Sequence, residues 1–356
     1  MTTVKIPLPG RSYDVLIGGG LLGRAGERCA AALEACLPRR ILLVSDETVL
    51  SLYGERTLAS FRGAGFICEA FAFPAGEGSK SLAVCEELLN ACAAFELSGS
   101  DILAALGGGV VGDITGFAAS CYRRGTRFIQ IPTTLLAAVD SSVGGKTGVN
   151  LAAGKNLAGA FWQPSLVLCD PLTHQTLSRE SYADGLAECL KYGMLWDETL
   201  FAALENGALY AVTQEQIARC VALKRDVVLQ DERDEGERRL LNLGHTLGHA
   251  LEKSSGYAIP HGAAVGIGML LITRLAESRG WCGGTVLPRL RGALERGGLP
   301  TQCPYTTSQL FTALAQDKKR AGSEITIVVP ERVGQCSLRT LPLAELRRLL
   351  EELDHA

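Results

Sequence analysis

Three of the five histidines in this 356-residue chain fall within residues 242–262. His245 and His249 stand four apart in N-L-G-H-T-L-G-H, which puts both on one face of a helix. His261 follows in P-H-G, just before the next helical pattern. Upstream, Glu188 and Lys191 stand one helical turn apart in A-E-C-L-K. Imidazole and carboxylate donors suit Zn²⁺, and three protein ligands leave a coordination position open for substrate. Zinc peptidases also use H-x-x-x-H, but they place glutamate directly after the first histidine. Thr246 occupies that position, so the peptidase base is missing.

A second constellation is cationic. Arg124, Lys146, Lys155, Lys191, Lys224, Arg238, Lys318 and Lys319 sit in apolar or glycine-rich company. With Asn156 and Asn242 they suit a small substrate carrying phosphate and carboxylate groups. Lys146 lies in D-S-S-V-G-G-K-T, which ends like a phosphate-binding P-loop. The first glycine of such a loop would fall at position 140, where this chain has Asp140, a carboxylate where phosphate would have to sit. The lysine therefore serves some other purpose. A third signal is G-G-G-V-V-G-D at 107–113, which follows an apolar run and opens a helical pattern. Glycines there let backbone approach a pyrophosphate at a helix N-terminus. Asp46, at the end of an earlier run, is the right type to accept a ribose hydroxyl. The turn P-A-G-E-G-S-K at 74–80 could complete a nucleotide site.

These residues need elements to position them. Apolar runs at 40–46, 101–106, 128–132 and 166–170 read as buried parallel strands. Helical patterns such as 81–94 lie between them. This alternation predicts a Rossmann-like α/β domain with a parallel sheet, with ligands at the carboxyl ends of its strands. From about residue 177 long helical patterns dominate, with turn signals at Gly256, Gly280 and Gly297-Gly298 and a late strand pair at 324–329 and 335–338. The predicted organisation is an α/β domain over 1–178 and a mainly α-helical domain over 179–356, with the active site in the interdomain cleft.

Composition narrows the function classes. Hydrophobic residues make up 47% of the chain and charged residues 21%, which supports a large core. A net charge of −3 gives no reason to expect nucleic acid or an anionic membrane as partner. Residues 1–10 hold no signal-peptide core, and the apolar stretch 263–273 is about half of the ~20 residues a membrane span needs. The twelve cysteines form no C-x-x-C pair, as expected of small buried hydrophobes in a reducing cytoplasm.

Taken in order, G-G-G-V-V-G-D, D-S-S-V-G-G-K-T, G-K-N at 154–156, A-E-x-x-K-Y-G at 187–193, D-E-R at 231–233, N-x-G-H-x-x-G-H at 242–249, H-G at 261–262 and D-K-K at 317–319 resemble the 3-dehydroquinate synthases, a branch of the sugar phosphate cyclases. The resemblance covers most of the chain. It implies conversion of 3-deoxy-D-arabino-heptulosonate 7-phosphate to 3-dehydroquinate and phosphate, with catalytic NAD⁺ and a Zn²⁺ or Co²⁺ ion, in a cytoplasmic homodimer. It implies Glu188, His245 and His261 as metal ligands. It places His249 in proton transfer and Asp140 and Lys191 near the reacting hydroxyls, with Asp234 at the relay position before Arg238. For the cofactor it implies Asp46, Ala75, Gly76, Glu77, Gly78, Ser79, Lys80, Gly109, Val110, Val111, Gly112, Asp113, Thr133, Thr134, Lys146, Lys155, Thr173, His174, Gln175 and Thr176. For substrate phosphate it implies Lys146, Asn156, Arg238 and one of Lys318 and Lys319, with Arg124 reaching in from a second subunit. Lys224 and Asn242 would face the carboxylate and nearby hydroxyls. The chain departs from the family pattern at Ala75, often aspartate, at Gly148, commonly alanine, and at Asp234, usually glutamate, which shortens any relay to His249.

Overall fold

The computed structural model describes residues 1–33, 39–234, 236–318 and 324–354, with backbone alone at 237 and 315–318. The chain forms two compact units. One comprises Met1–Thr176 with Thr213–Arg233, the other Leu177–Val212 with Asp234–Ala356.

The first unit is built on strands β1 (Thr2–Ile6), β2 (Tyr13–Ile17), β3 (Arg40–Asp46), β4 (Ile67–Phe73), β5 (Ile102–Gly107), β6 (Arg127–Pro132), β7 (Lys146–Leu151), β8 (Gly154–Phe161) and β9 (Leu166–Cys169). Seven of them form one sheet in the order β1-β2-β9-β6-β5-β3-β4, while β7 and β8 pair as a separate antiparallel hairpin. Every pairing in the large sheet is parallel except that of β1 with β2 at the edge. Strand alternation divides the apolar side chains between two faces. Ile41, Leu43, Ile102, Ala104, Ile129 and Leu168 pack with Leu21, Ala25 and Phe61 on one side. Leu42, Val44, Leu103, Ala105 and Phe128 pack with Cys85, Leu88, Val111 and Ile114 on the other. A sheet covered on both faces needs the continuous apolar runs seen in sequence.

The four strands expected from those runs form within a residue of their expected bounds. The others lacked the signal: β4 is mostly exposed or half-buried, and β7 and β8 are glycine-rich. The helix Gln214–Gln230, grouped by its periodicity with the second half of the chain, belongs to the first unit, where it packs on β1 and β2 and on the turn Ala137–Ser141. Periodicity shows that Ile217, Val221 and Val228 share a buried face; it does not show which surface buries them.

The second unit is mainly helical. Its helices include Arg179–Trp196, Glu198–Glu205, His245–Ser254, His261–Ser278, Val286–Arg296 and Leu343–Asp354. The late strand pair forms as β10 (Glu324–Arg332) and β11 (Gln335–Pro342), longer than the sequence suggested. Gly256, Gly280 and Gly298 end their helices in the left-handed conformation, as the turn signals require. The apolar segment 263–273 is the buried body of the helix His261–Ser278, and among the described residues no helix is long and apolar enough to cross a membrane. The eleven described cysteines are all free.

Candidate active site

In the second unit, two helices are brought into unusually close approach by glycine. A Cβ on Gly268 would lie 2.0 Å from the carbonyl oxygen of Gly244, and one on Gly244 would lie 2.5 Å from that of Val265. Gly244 also holds φ +78°, a conformation that glycine adopts at no steric cost. The helices His245–Ser254 and His261–Ser278 therefore pack backbone to backbone, and His245 and His261 begin them with ring centroids 5.2 Å apart. The third participant comes from the helix Arg179–Trp196. Its Asp184 accepts a hydrogen bond from the Gly262 N–H at 2.9 Å, capping the His261 helix. A Cβ at Gly262 would meet the Asp184 backbone at 2.4 Å. One turn beyond Asp184, Glu188 points at both histidines, its Oε1 3.6 Å from Nε2 of His245 and 3.6 Å from Nε2 of His261.

Glu188, His245 and His261 thus present donor atoms that all lie within 4.8 Å of one another. His245 Nδ1 lies 3.2 Å from the Leu243 carbonyl oxygen, which only accepts, so that nitrogen carries the hydrogen and Nε2 carries the lone pair. Burial first, and then the Lys191 charge, push the His245 pKa down to about 3 and keep the ring neutral, the state a ligand needs. His261 behaves oppositely. Burial works against its charge, but the neighbouring Glu188 and Glu252 carboxylates outweigh it and lift the pKa to about 10. The spot between these carboxylates favours positive charge. The donor set, its tautomer and its electrostatics fit a divalent ion of the zinc type. Lys191 forms a buried ion pair with Glu188 on the same helix. His249, exposed on the helix it shares with His245, has its ring centroid 5.4 Å from that of His245 and 6.3 Å from that of His261.

The remaining expected residues of this unit are scattered in character. Arg238 is buried, Asn242 is exposed, and Asp234 adopts φ +63°. The Lys318 side chain and Lys319 lie outside the described residues.

The first unit gathers the expected cofactor residues along one sheet edge. Because β4, β3, β5, β6 and β9 run parallel, their carboxyl ends fall together. Asp46 ends β3 and accepts from the Val49 N–H at 2.9 Å. The 75–80 turn follows β4, with Gly76 at φ +110°. Gly109, Val110, Val111, Gly112 and Asp113 form the first turn of the helix Gly109–Cys121 after β5. Its cap, Gly108, offers no side chain to the free N–H groups there, as an anion site requires. Thr133 and Thr134 follow β6, and Thr173, His174, Gln175 and Thr176 follow β9. Thr133 Oγ1 and His174 Nε2 are buried without a hydrogen-bond partner among the described residues, which fits an edge built to meet a polar ligand. Burial pushes the His174 pKa down to about 4, so the ring is neutral.

Two networks bind the loops of this edge. Lys80 donates to Asp113 Oδ2 and to Asn156 Oδ1, both at 2.5 Å, joining the 75–80 turn to the Gly109 helix and to β8. Asn150 Nδ2 donates to Glu77 Oε1 at 2.7 Å, a second tie between turn and hairpin. Asn156 itself sits at φ +56°. Lys146 opens β7 and is exposed, and Lys155 lies beside Asn156. Asp140 lies in one turn of π-helix, Ala137–Ser141, where Lys224 donates to its carboxylate at 2.8 Å and to its backbone oxygen at 2.6 Å. Arg124 ends a turn in which it and Arg123 both take positive φ.

Sequence reasoning missed two acidic residues. Asp184 carried no signal of its own, since its partner is a backbone N–H 78 positions away. Glu252 was within reach, because it lies seven residues after His245 on one helix face.

Residues 70–184 match the N-terminal family of 3-dehydroquinate synthase, and residues 185–320 match its C-terminal family. A 3-dehydroquinate synthase of Enterococcus faecalis is 44% identical over 353 residues, covering 98% of each chain. Among solved structures, 2-epi-5-epi-valiolone synthase from Streptomyces hygroscopicus subsp. jinggangensis, with NAD⁺ and Zn²⁺ bound, is similar with a TM-score of 0.86 and 32% identity over 96% of this chain and 95% of that one. A 2-deoxy-scyllo-inosose synthase structure shares the fold at a TM-score of 0.88 and 23% identity, over 99% of this chain and 100% of that one. On the match of both family halves and this identity along nearly the full length, the chain belongs to the 3-dehydroquinate synthase family.

Proposed function

We propose that this chain converts 3-deoxy-D-arabino-heptulosonate 7-phosphate to 3-dehydroquinate and phosphate, as a carbon–oxygen lyase of the shikimate pathway. The observation that carries this reading is the convergence of Glu188, His245 and His261 in a chain of this family. Those three residues would hold a Zn²⁺ or Co²⁺ ion, and the sheet edge from Asp46 to Thr176 would hold NAD⁺. When bound, the ion supplies Lewis acidity at a substrate hydroxyl and NAD⁺ supplies a reversible hydride acceptor. Oxidation at that hydroxyl, loss of phosphate, re-reduction, ring opening and aldol closure would then leave no net use of cofactor.

The protein's own residues bind, orient and move protons. Lys146, Asn156 and Arg238 grip substrate phosphate, together with Lys318 or Lys319 and with Arg124 of the partner subunit. Lys224 and Asn242 address the carboxylate and hydroxyls. The Asp140–Lys224 pair fixes one ammonium and one carboxylate before substrate arrives, which lowers the cost of ordering them later. Lys191 holds the Glu188 carboxylate in a buried ion pair and adds a donor near the reacting hydroxyls. His249 is exposed and adjacent to both histidine ligands, as a proton carrier must be, with Asp234 before Arg238 in its relay. A cytoplasmic homodimer is part of the same reading. The exposed Leu157 and Phe161 on β8, an edge strand of the hairpin, support it, as does the strained Arg123–Arg124 turn.

One assay tests the proposal. With the heptulosonate phosphate, trace NAD⁺ and metal, many turnovers per NAD⁺ are expected, and a chelator abolishes them. Stoichiometric NADH would instead indicate a dehydrogenase of the glycerol dehydrogenase type. Inertness combined with turnover of sedoheptulose 7-phosphate would indicate another sugar phosphate cyclase.

A further inference from the structure

Two of the three donors at the metal centre have a second interaction that sets their orientation. The Glu188 carboxylate is held by the Lys191 ammonium. His245 Nδ1 is turned to the Leu243 carbonyl at 3.2 Å. For His261 the corresponding group is a carboxylate: Nδ1 lies 3.7 Å from Glu252 Oε2, while Nε2 faces Glu188. Glu252 is buried at 7% exposure, an unusual place for a carboxylate with no structural or chemical use. It lies on the same helix as His245, so one helix supplies both a donor and the group that faces the other imidazole.

We propose that Glu252 is a positioning residue for His261. Its carboxylate accepts the Nδ1 hydrogen, so the lone pair is on Nε2 and aims at the metal. The observed 3.7 Å is longer than a hydrogen bond; a small rotation of either side chain closes it when Nε2 is engaged. An acceptor of this kind fixes ring orientation and raises ligand basicity. Metal affinity is then set partly by a residue that never touches the metal. The inference rests on the metal reading given above, and its test separates the two.

Glu252→Gln, Glu252→Ala and His261→Ala are prepared metal-free and titrated with Zn²⁺ or Co²⁺ against a chromophoric chelator. The Co²⁺ absorption spectrum serves as a second readout. Glu252→Ala is expected to weaken metal binding roughly 10- to 100-fold. Glu252→Gln, which keeps the shape and a neutral acceptor, should lose less and keep the wild-type Co²⁺ spectrum. NAD⁺ affinity should not change. Unaltered metal affinity in both Glu252 variants overturns the inference, and so does an activity–pH shift without an affinity change, which would assign Glu252 to His249. A Gln variant that loses its near-ultraviolet circular dichroism assigns Glu252 to core stability and also overturns it. If His261→Ala binds metal as wild type does, the metal reading itself fails.

Discussion

The sheet edge of the first unit and the histidine centre of the second solve recognition in opposite ways. The edge spreads its contacts over five parallel strand ends and relies on glycines, backbone N–H groups and short polar side chains. No single residue defines it. On the proposed reading, the histidine centre concentrates its function in three side chains, each from a separate helix, and the spacing of those helices is set by glycine contacts. A distributed site degrades gradually, because each contact contributes a small share. A converging site fails at once, because each ligand is needed for the geometry.

The sharpest way to break this comparison is Glu188→Ala. Removing one of the three proposed ligands should abolish metal content and remove several kcal/mol of transition-state stabilisation, about a 10³-fold fall in kcat/KM or more. Metal analysis and circular dichroism check that the metal is lost and the fold kept. Retained metal would remove Glu188 from the ligand set.

Lys80→Ala strikes the distributed edge where it is least distributed. It leaves Asp113 without its ammonium and cuts the tie to Asn156. Burial already pushes the Asp113 carboxyl above its usual range. Breaking such a pair should cost about 3 kcal/mol of stability, read from urea unfolding. NAD⁺ affinity should fall while metal affinity stays.

His174 adds a pH signature to the same edge. Its folded pKa of about 4 lies below the unfolded value of 6.5, so the unfolded chain binds more protons between these limits. Its contribution to stability is complete above pH 6.5 and declines as pH falls toward 4. At pH 5 the decline is about 2 kcal/mol, and His174→Gln should flatten that part of the unfolding profile. A profile unchanged by the substitution would mean that the ring is protonated in the folded state.

The smallest effect is expected at Gly76→Ala. An added Cβ meets nothing within 4 Å, but the backbone stands at φ +110°. The cost is therefore conformational, about 1 kcal/mol, and should appear as a few-fold weaker NAD⁺ binding. A loss as large as that of Glu188→Ala would show that the edge is not distributed.

The contrast also explains what could be read without coordinates. The buried strands Arg40–Asp46 and Ile102–Gly107 were legible because both faces are apolar, and the edge followed from parallel order. The histidine centre was legible as a cluster of rare residue types, and its ligand set came from family resemblance. Contacts between distant segments were not legible. The Lys80–Asp113–Asn156 bridge joins residues up to 76 positions apart, and the Asp184 cap reaches 78 positions to a backbone N–H. The host of the helix Gln214–Gln230 was hidden for the same reason: an amphipathic pattern records a buried face without naming the surface that covers it.

The glycine contact between the His245 and His261 helices has one more consequence. With backbone already touching backbone at Gly244 and Gly268, neither rod has slack to slide inward around a smaller ion. For the metal proposed there, discrimination by ionic radius would come from rotation of the imidazole and carboxylate tips, while the scaffold behind them acts as a fixed gauge.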